Sequence, residues 1–168
     1  MVWTQPITDR SILDIDKLQE YDETVYKNLT NDQKTEWIIG MKGTLNASDL
    51  NRIESNQQHI LSLLSSQYTL TFKTDWLMTD FVEGSDENRI LSNLKTLMQP
   101  FDFGEESQVS DKPLNYFEKI NQIESIILQM YDKYNERGES IRGGFYTDQN
   151  ESFMTSDNEQ VNVFTSQI

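Results

Sequence analysis

Few residues in this chain have the type and spacing that chemistry needs. His59 is the only histidine and lies between Gln58 and Ile60, with no cysteine or second histidine near it. A general base needs an orienting partner and a metal needs several ligands, so a solitary His59 reads as surface or core filler. Asp14 and Asp16 form a D-x-D pair, but residues two apart on a helix do not face each other. Asp148, Asn150, Ser152 and Glu159 occupy the first, third, fifth and twelfth positions of a calcium-loop register. The sixth is Phe153 instead of the glycine that the sharp turn requires. There is no glycine-rich phosphate loop, no nucleophile elbow and no HExxH. With no cysteine, thiolate catalysis, disulfides and cysteine metal sites are excluded. The expectation is no enzyme, no catalytic residue, no metal site and no cofactor.

Charge narrows the partners. Twenty-eight acidic residues against 14 basic ones give a net charge of -14, which repels phosphate backbones and anionic headgroups, and no basic patch offsets it. Neither nucleic acid nor membrane is expected as a partner. No apolar run reaches the ~20 residues of a membrane span. The N-terminus lacks the charged-then-apolar order of a signal peptide, so the expected product is soluble and made in the cytosol. Three Trp, seven Tyr and eight Phe are more aromatic residues than a disordered chain carries. The length suits one domain.

The chain is organised around a repeated stretch. Ser48-Asp49-Leu50-Asn51-Arg52-Ile53-Glu54-Ser55-Asn56 returns as Ser85-Asp86-Glu87-Asn88-Arg89-Ile90-Leu91-Ser92-Asn93, with seven of nine positions identical. Asn121-Gln122-Ile123-Glu124-Ser125 is a fainter third copy. Each opens an apolar helical pattern, which predicts three related helices. In the motif, Asn51 and Asn88 are expected in the first turns of their helices, and Asn121 holds the same place in the third. Ile53, Ile90 and Ile123 are expected in the core. Arg52 and Arg89 are expected either to bond neighbouring carbonyls or carboxylates, or to contact a partner protein.

Residues 1–8 read as an extended arm, with Trp3 exposed unless something receives it. Thr8 is a predicted N-cap for a helix to about Asn28, with Ile12, Ile15, Leu18, Val25 and Leu29 near one face. Thr30 to Gln33 predicts a capping box for a short helix carrying Trp37, Ile38 and Ile39, ended by Gly40. Tyr68, Leu70 and Phe72 alternate with threonines, predicting a short strand or extended connector. Thr74-Asp75-Trp76 repeats the Thr8-Asp9-Arg10 start, and Ser110 or Asp111 is expected to cap the third motif helix near Pro113.

Residues 141–168 differ in kind. Phe145 to Ile168 holds four acidic residues, no basic ones and scattered apolar groups at Phe145, Tyr146, Phe153, Val161, Val163 and Phe164. Too little apolar area is present there to offset about 1–2 kcal/mol of backbone entropy per ordered residue. The segment is expected to be a tail, disordered or docked on another surface. The predicted architecture is mainly α, a small helical bundle over residues 9–140 built from the three related helices and an N-terminal helical hairpin.

Several blocks carry a resemblance: Trp3-Thr4-Gln5-Pro6-Ile7-Thr8-Asp9-Arg10, Leu29-Thr30 through Glu36-Trp37, Met41 through Glu54, and Lys73-Thr74-Asp75-Trp76 with Asp80. Over roughly residues 3 to 147 the chain resembles tail-associated structural proteins of bacteriophages and prophages of Firmicute-type hosts. The extreme C-terminus departs from that pattern. The resemblance implies a virion component of the tail tip or baseplate, or of a phage-tail-like particle, present in multiple copies and bound to other tail or baseplate proteins.

In that setting Trp3, Phe145, Tyr146, Phe153, Val161, Val163 and Phe164 are the expected subunit-interface residues, since an extended end adds affinity by strand-like addition to a neighbour. An alternative expectation is a host-surface sugar-recognition or fibre-attachment module stacking Trp3, Trp76 and Tyr146 on sugar rings. A third is an intracellular helical adaptor unrelated to virions.

Overall fold

Helix starts leave first-turn amides without an intrahelical acceptor, and polar side chains beside the first turn mark where the first four helices of this chain begin. In the computed structural model, which describes residues 2–64, 68–101, 103 and 109–137, α1 spans Ile12–Glu23 and α2 spans Asn31–Ile39, with a 3-10 turn at Tyr26–Asn28 between them. The Ser11 N–H donates to the Asp14 carboxylate at 2.8 Å. Thr30 and Gln33 bond each other reciprocally at 2.8 and 3.2 Å, the expected capping box. Gly40 ends α2 at φ 107, a left-handed conformation in which a side chain would be strained.

The hairpin has its own small core of Tyr21, Leu29 and Met41, with Leu18 and Trp37 against it. Three expectations are corrected. Thr8 does not cap α1, because Ser11 does. The helix stops at Glu23 instead of Asn28. Ile12, Val25, Ile38 and Ile39 are exposed, because so short a hairpin buries only a narrow stripe.

The repeated motif opens the three longer helices: α3 at Ala47–Leu63, α4 at Gly84–Met98, and α5, helical over residues 117–137. Asn46 caps α3, its Oδ1 accepting from the Asp49 N–H at 3.1 Å. At α4 the bond runs the other way, Asp86 accepting from the N–H of the capping Glu83 at 3.1 Å. Ile53, Ile90 and Ile123 are fully buried as expected, with Ile60, Leu94, Leu97, Ile120, Ile127 and Met130. Burial of each such side chain is worth about 1.5–3 kcal/mol, so this apolar centre carries the fold.

Contacts fix the direction of the helices. Arg52 meets Glu124 and His59 lies beside Tyr131, so α3 and α5 run parallel with one constant offset. Arg89 meets Glu54, Gln57 bonds the Ile90 carbonyl, and Lys119 meets Glu87, which sets α4 level with both. Parallel neighbours need long returns, and those returns are extended segments lying in the grooves. Among the described residues there is no strand, so Tyr68 to Phe72 is a connector. Thr74-Asp75-Trp76 lies in the same connector outside any helix, α4 follows at Gly84 close to the expected Ser85, and α5 begins only after a turn at residues 114–116.

The chain forms two compact units, Met1–Tyr131 and Asp132–Ile168. The arm at residues 2–8, expected to stand apart, belongs to the first unit. The tail at 141–168 lies outside the described residues.

Candidate functional site

The polar residues that the motif places on α3 and α5 build the same clamp twice. On α5 the Asn121 carboxamide takes both backbone groups of Arg10, donating to its carbonyl at 2.8 Å and accepting from its N–H at 3.2 Å. One turn further on, Glu124 accepts from the Ile7 N–H, from the Arg10 guanidinium at 3.0 Å and from Arg52 at 2.6 Å. On α3 the Asn51 carboxamide donates to the Trp76 carbonyl at 3.0 Å and accepts from its N–H at 2.7 Å. Glu54 then accepts from the Lys73 N–H at 2.8 Å, the Trp76 indole at 2.9 Å and Arg89 at 2.8 Å.

Asn-x-x-Glu on a helix thus grips the first and fourth residues of an extended tetrapeptide, Ile7-Thr8-Asp9-Arg10 or Lys73-Thr74-Asp75-Trp76. The spacing comes from geometry, since side chains three apart on a helix lie on one face. Further along, Asn56 exchanges both backbone bonds with Thr4 at 2.6 and 3.0 Å, and Asn93 donates to the Thr71 carbonyl at 2.8 Å. Both glutamates are buried and hydrogen-bonded several times over, which is what permits a charge there.

The arginines make two of the three links around the bundle. Arg89 of α4 reaches Glu54 of α3, and Arg52 of α3 reaches Glu124 of α5. The third link should join Gln122 of α5 to Leu91 of α4, and at that interface both partners are neutral. Lys119 and Glu87 join those helices instead, at 2.7 Å. The third clamp is correspondingly incomplete: Asn88 is exposed, and Leu91 stands where Glu54 and Glu124 stand. There the segment Val109-Ser110-Asp111 is held by its own helix, Ser110 N–H to Gln122 at 2.8 Å. It leaves a cavity of about 640 Å³ against Leu91, Leu94 and Met98.

Comparison with protein families, with curated proteins and with solved structures finds no match for this chain.

The motif residues sort cleanly. Asn51 clamps neighbouring backbone instead of serving the first turn of its helix, which corrects that expectation; Asn121 clamps in the same way, and the exposed Asn88 makes no such clamp among the described residues. Arg52 and Arg89 bond carboxylates, as one of the two readings expected. Burial opposes the Arg52 charge, but hydrogen bonds to Glu124 and Asp49 outweigh it and hold its pKa above the ordinary value. The hydrogen bond to Glu54 raises that of Arg89.

Trp3, expected to reach a neighbouring subunit, stacks on Tyr131 of its own unit at 4.0 Å and 12° and tilts against His59 at 5.7 Å. His59 is thereby partly buried, which pushes its pKa below the ordinary value. The other expected interface residues, Phe145, Tyr146, Phe153, Val161, Val163 and Phe164, and the calcium-like register from Asp148 to Glu159, lie outside the described residues. Among the described residues no cluster of His, Cys, Asp or Glu is arranged to hold a metal ion, and no helix is long and apolar enough to cross a membrane.

Sequence reasoning did not single out Arg10, Glu54, Asn56 and Glu124 as site residues. The signal was present in Thr8-Asp9-Arg10 and Thr74-Asp75-Trp76, two similar segments for two similar Asn-x-x-Glu faces.

Proposed function

We propose that this chain is a non-enzymatic structural protein of a bacteriophage tail tip or baseplate, or of a phage-tail-like particle, acting as an adaptor between neighbouring tail subunits. The observation that carries this reading is the repeated clamp. The chain builds itself by seating extended segments in helix grooves through backbone hydrogen bonds. Those bonds are largely indifferent to the side chains of the seated segment and suit strand-like exchange between subunits. The resemblance over residues 3 to 147 points the same way, as does an acidic, cysteine-free composition.

The N-terminal arm no longer contributes to this reading, because Trp3, Thr4 and Ile7 are held by their own chain. The C-terminal segment 145–168, expected from its sequence to be a docking tail, is the other candidate, and we assign docking on neighbouring subunits to it. Sugar recognition loses two of its three aromatic residues, since Trp3 is stacked and Trp76 is buried.

Two experiments test the proposal. Mass spectrometry of tail particles purified from producing cells is expected to find the chain in multiple copies, and its absence would contradict the reading. A chain ending at residue 144 is expected to fold but to be lost from particles. Normal incorporation would show that the tail plays no part in docking.

A further inference from the structure

At both clamps the extended segment runs antiparallel to the helix that grips it. Ile7 lies at Glu124 and Arg10 at Asn121, while Lys73 lies at Glu54 and Trp76 at Asn51. The chain therefore leaves each clamp at the end of the bundle where the motif helices begin. Just beyond each clamped tetrapeptide the chain exposes large apolar side chains: Ile12 and Leu13 after Arg10, and Leu77, Met78 and Phe81 after Trp76. Tyr116 is exposed at the corresponding place after Lys112. Phe81 is 89% exposed.

The second of these elements is held in a fixed shape. Asp80 accepts from the Leu77 N–H at 3.2 Å and donates its own N–H to the Leu77 carbonyl at 3.0 Å. Lys73 ties the Asp80 carboxylate down at 2.7 Å while lying 3.8 Å over the Trp76 ring. That salt bridge holds the Asp80 carboxyl below its ordinary pKa. An apolar loop set rigidly on a buried anchor loses little conformational entropy on binding, and large apolar side chains held in this way are the usual source of interface energy.

Charge says what kind of surface fits. Each clamped segment, and the third one that stays on its own helix, carries an exposed aspartate at the same position: Asp9, Asp75 and Asp111. Among the described residues Asp9 pairs only with a half-exposed Lys42 at 2.9 Å, and Asp75 and Asp111 form no ion pair. A second copy would bring the same carboxylates and a net charge of -14 to the contact, so self-association through this end is disfavoured.

We propose that this end of the bundle is a docking face for a different protein subunit, one presenting apolar clefts edged by lysine or arginine. The inference rests on the reading of the chain as a tail assembly part and assigns that part a second contact, separate from the C-terminal segment.

The test replaces the chromosomal copy with the full chain carrying Met78→Ser and Phe81→Ser, both on the exposed loop, and measures copies per purified tail particle by quantitative immunoblotting. The double variant is expected to melt like the parent yet to fall at least tenfold in particles. Asp75→Asn with Asp111→Asn is expected to fall severalfold and to lose the sensitivity to added salt that is expected of the parent's incorporation. Parental incorporation of the loop variant would overturn the docking face while leaving the adaptor reading intact. A parent chain missing from particles would overturn both.

Discussion

Glu54 and Glu124 show what decides between stabilising and specifying at a single residue. A buried ion pair often costs as much in lost hydration as it returns in attraction, whereas removing one partner leaves an uncompensated charge. The pairs set how the helices meet and, through Arg10, which segment lies on α5, and the apolar centre supplies most of the free energy. Glu124→Gln strands Arg10 and Arg52 on the single Asp49 carboxylate, so a loss of about 3–5 kcal/mol is expected in urea unfolding. Glu118→Gln, which breaks only the solvent-exposed pair with Lys112, is expected to leave the unfolding midpoint nearly unchanged.

His59 gives the pH dependence. Its folded pKa lies below the ordinary 6.5 because burial disfavours the imidazolium. Above that value both states are neutral and stability is flat. As pH falls through 6.5 the unfolded chain takes up the proton first, so stability declines until the folded pKa is reached. Thermal melting followed across that range is expected to show the decline, and His59→Gln is expected to remove it.

Among the elements, the three motif helices were legible in the sequence because their isoleucines repeat at a fixed place and all three are fully buried. The Thr30 capping box and the Gly40 stop were legible for the same reason: each is a local signal with a single reading. The clamped segments were not. Thr-Asp before a mixed stretch is an N-cap signature when a helix comes at once, but here the bonds that a cap would make come from another helix. That choice is made by tertiary contacts 19 to 117 residues apart in sequence.

The third interface tests whether the repetition is a real rule. Gln122 and Leu91 replace both members of the pair found at the other two interfaces. Gln122→Arg with Leu91→Glu should therefore recreate the missing link. A double-mutant cycle is expected to give a favourable coupling of about 1 kcal/mol. Zero coupling would mean that the three interfaces only look alike.

At the scale of the whole molecule, a chain that is 25% charged and 36% hydrophobic folds by giving its polar residues backbone partners from distant segments. The N-terminal arm consequently belongs to the folded unit, and the candidates for contact with other proteins become the start of the bundle and the C-terminal segment. The whole arrangement depends on the arm and the connector being held by the helices. Amide hydrogen exchange by NMR on the full chain addresses that directly. The Ile7, Arg10, Lys73 and Trp76 amides, all outside secondary structure, are expected to be protected to the same order as those in the middle of α3. Exchange of these four within about tenfold of an unstructured peptide would contradict the clamp, and with it the architecture built on it.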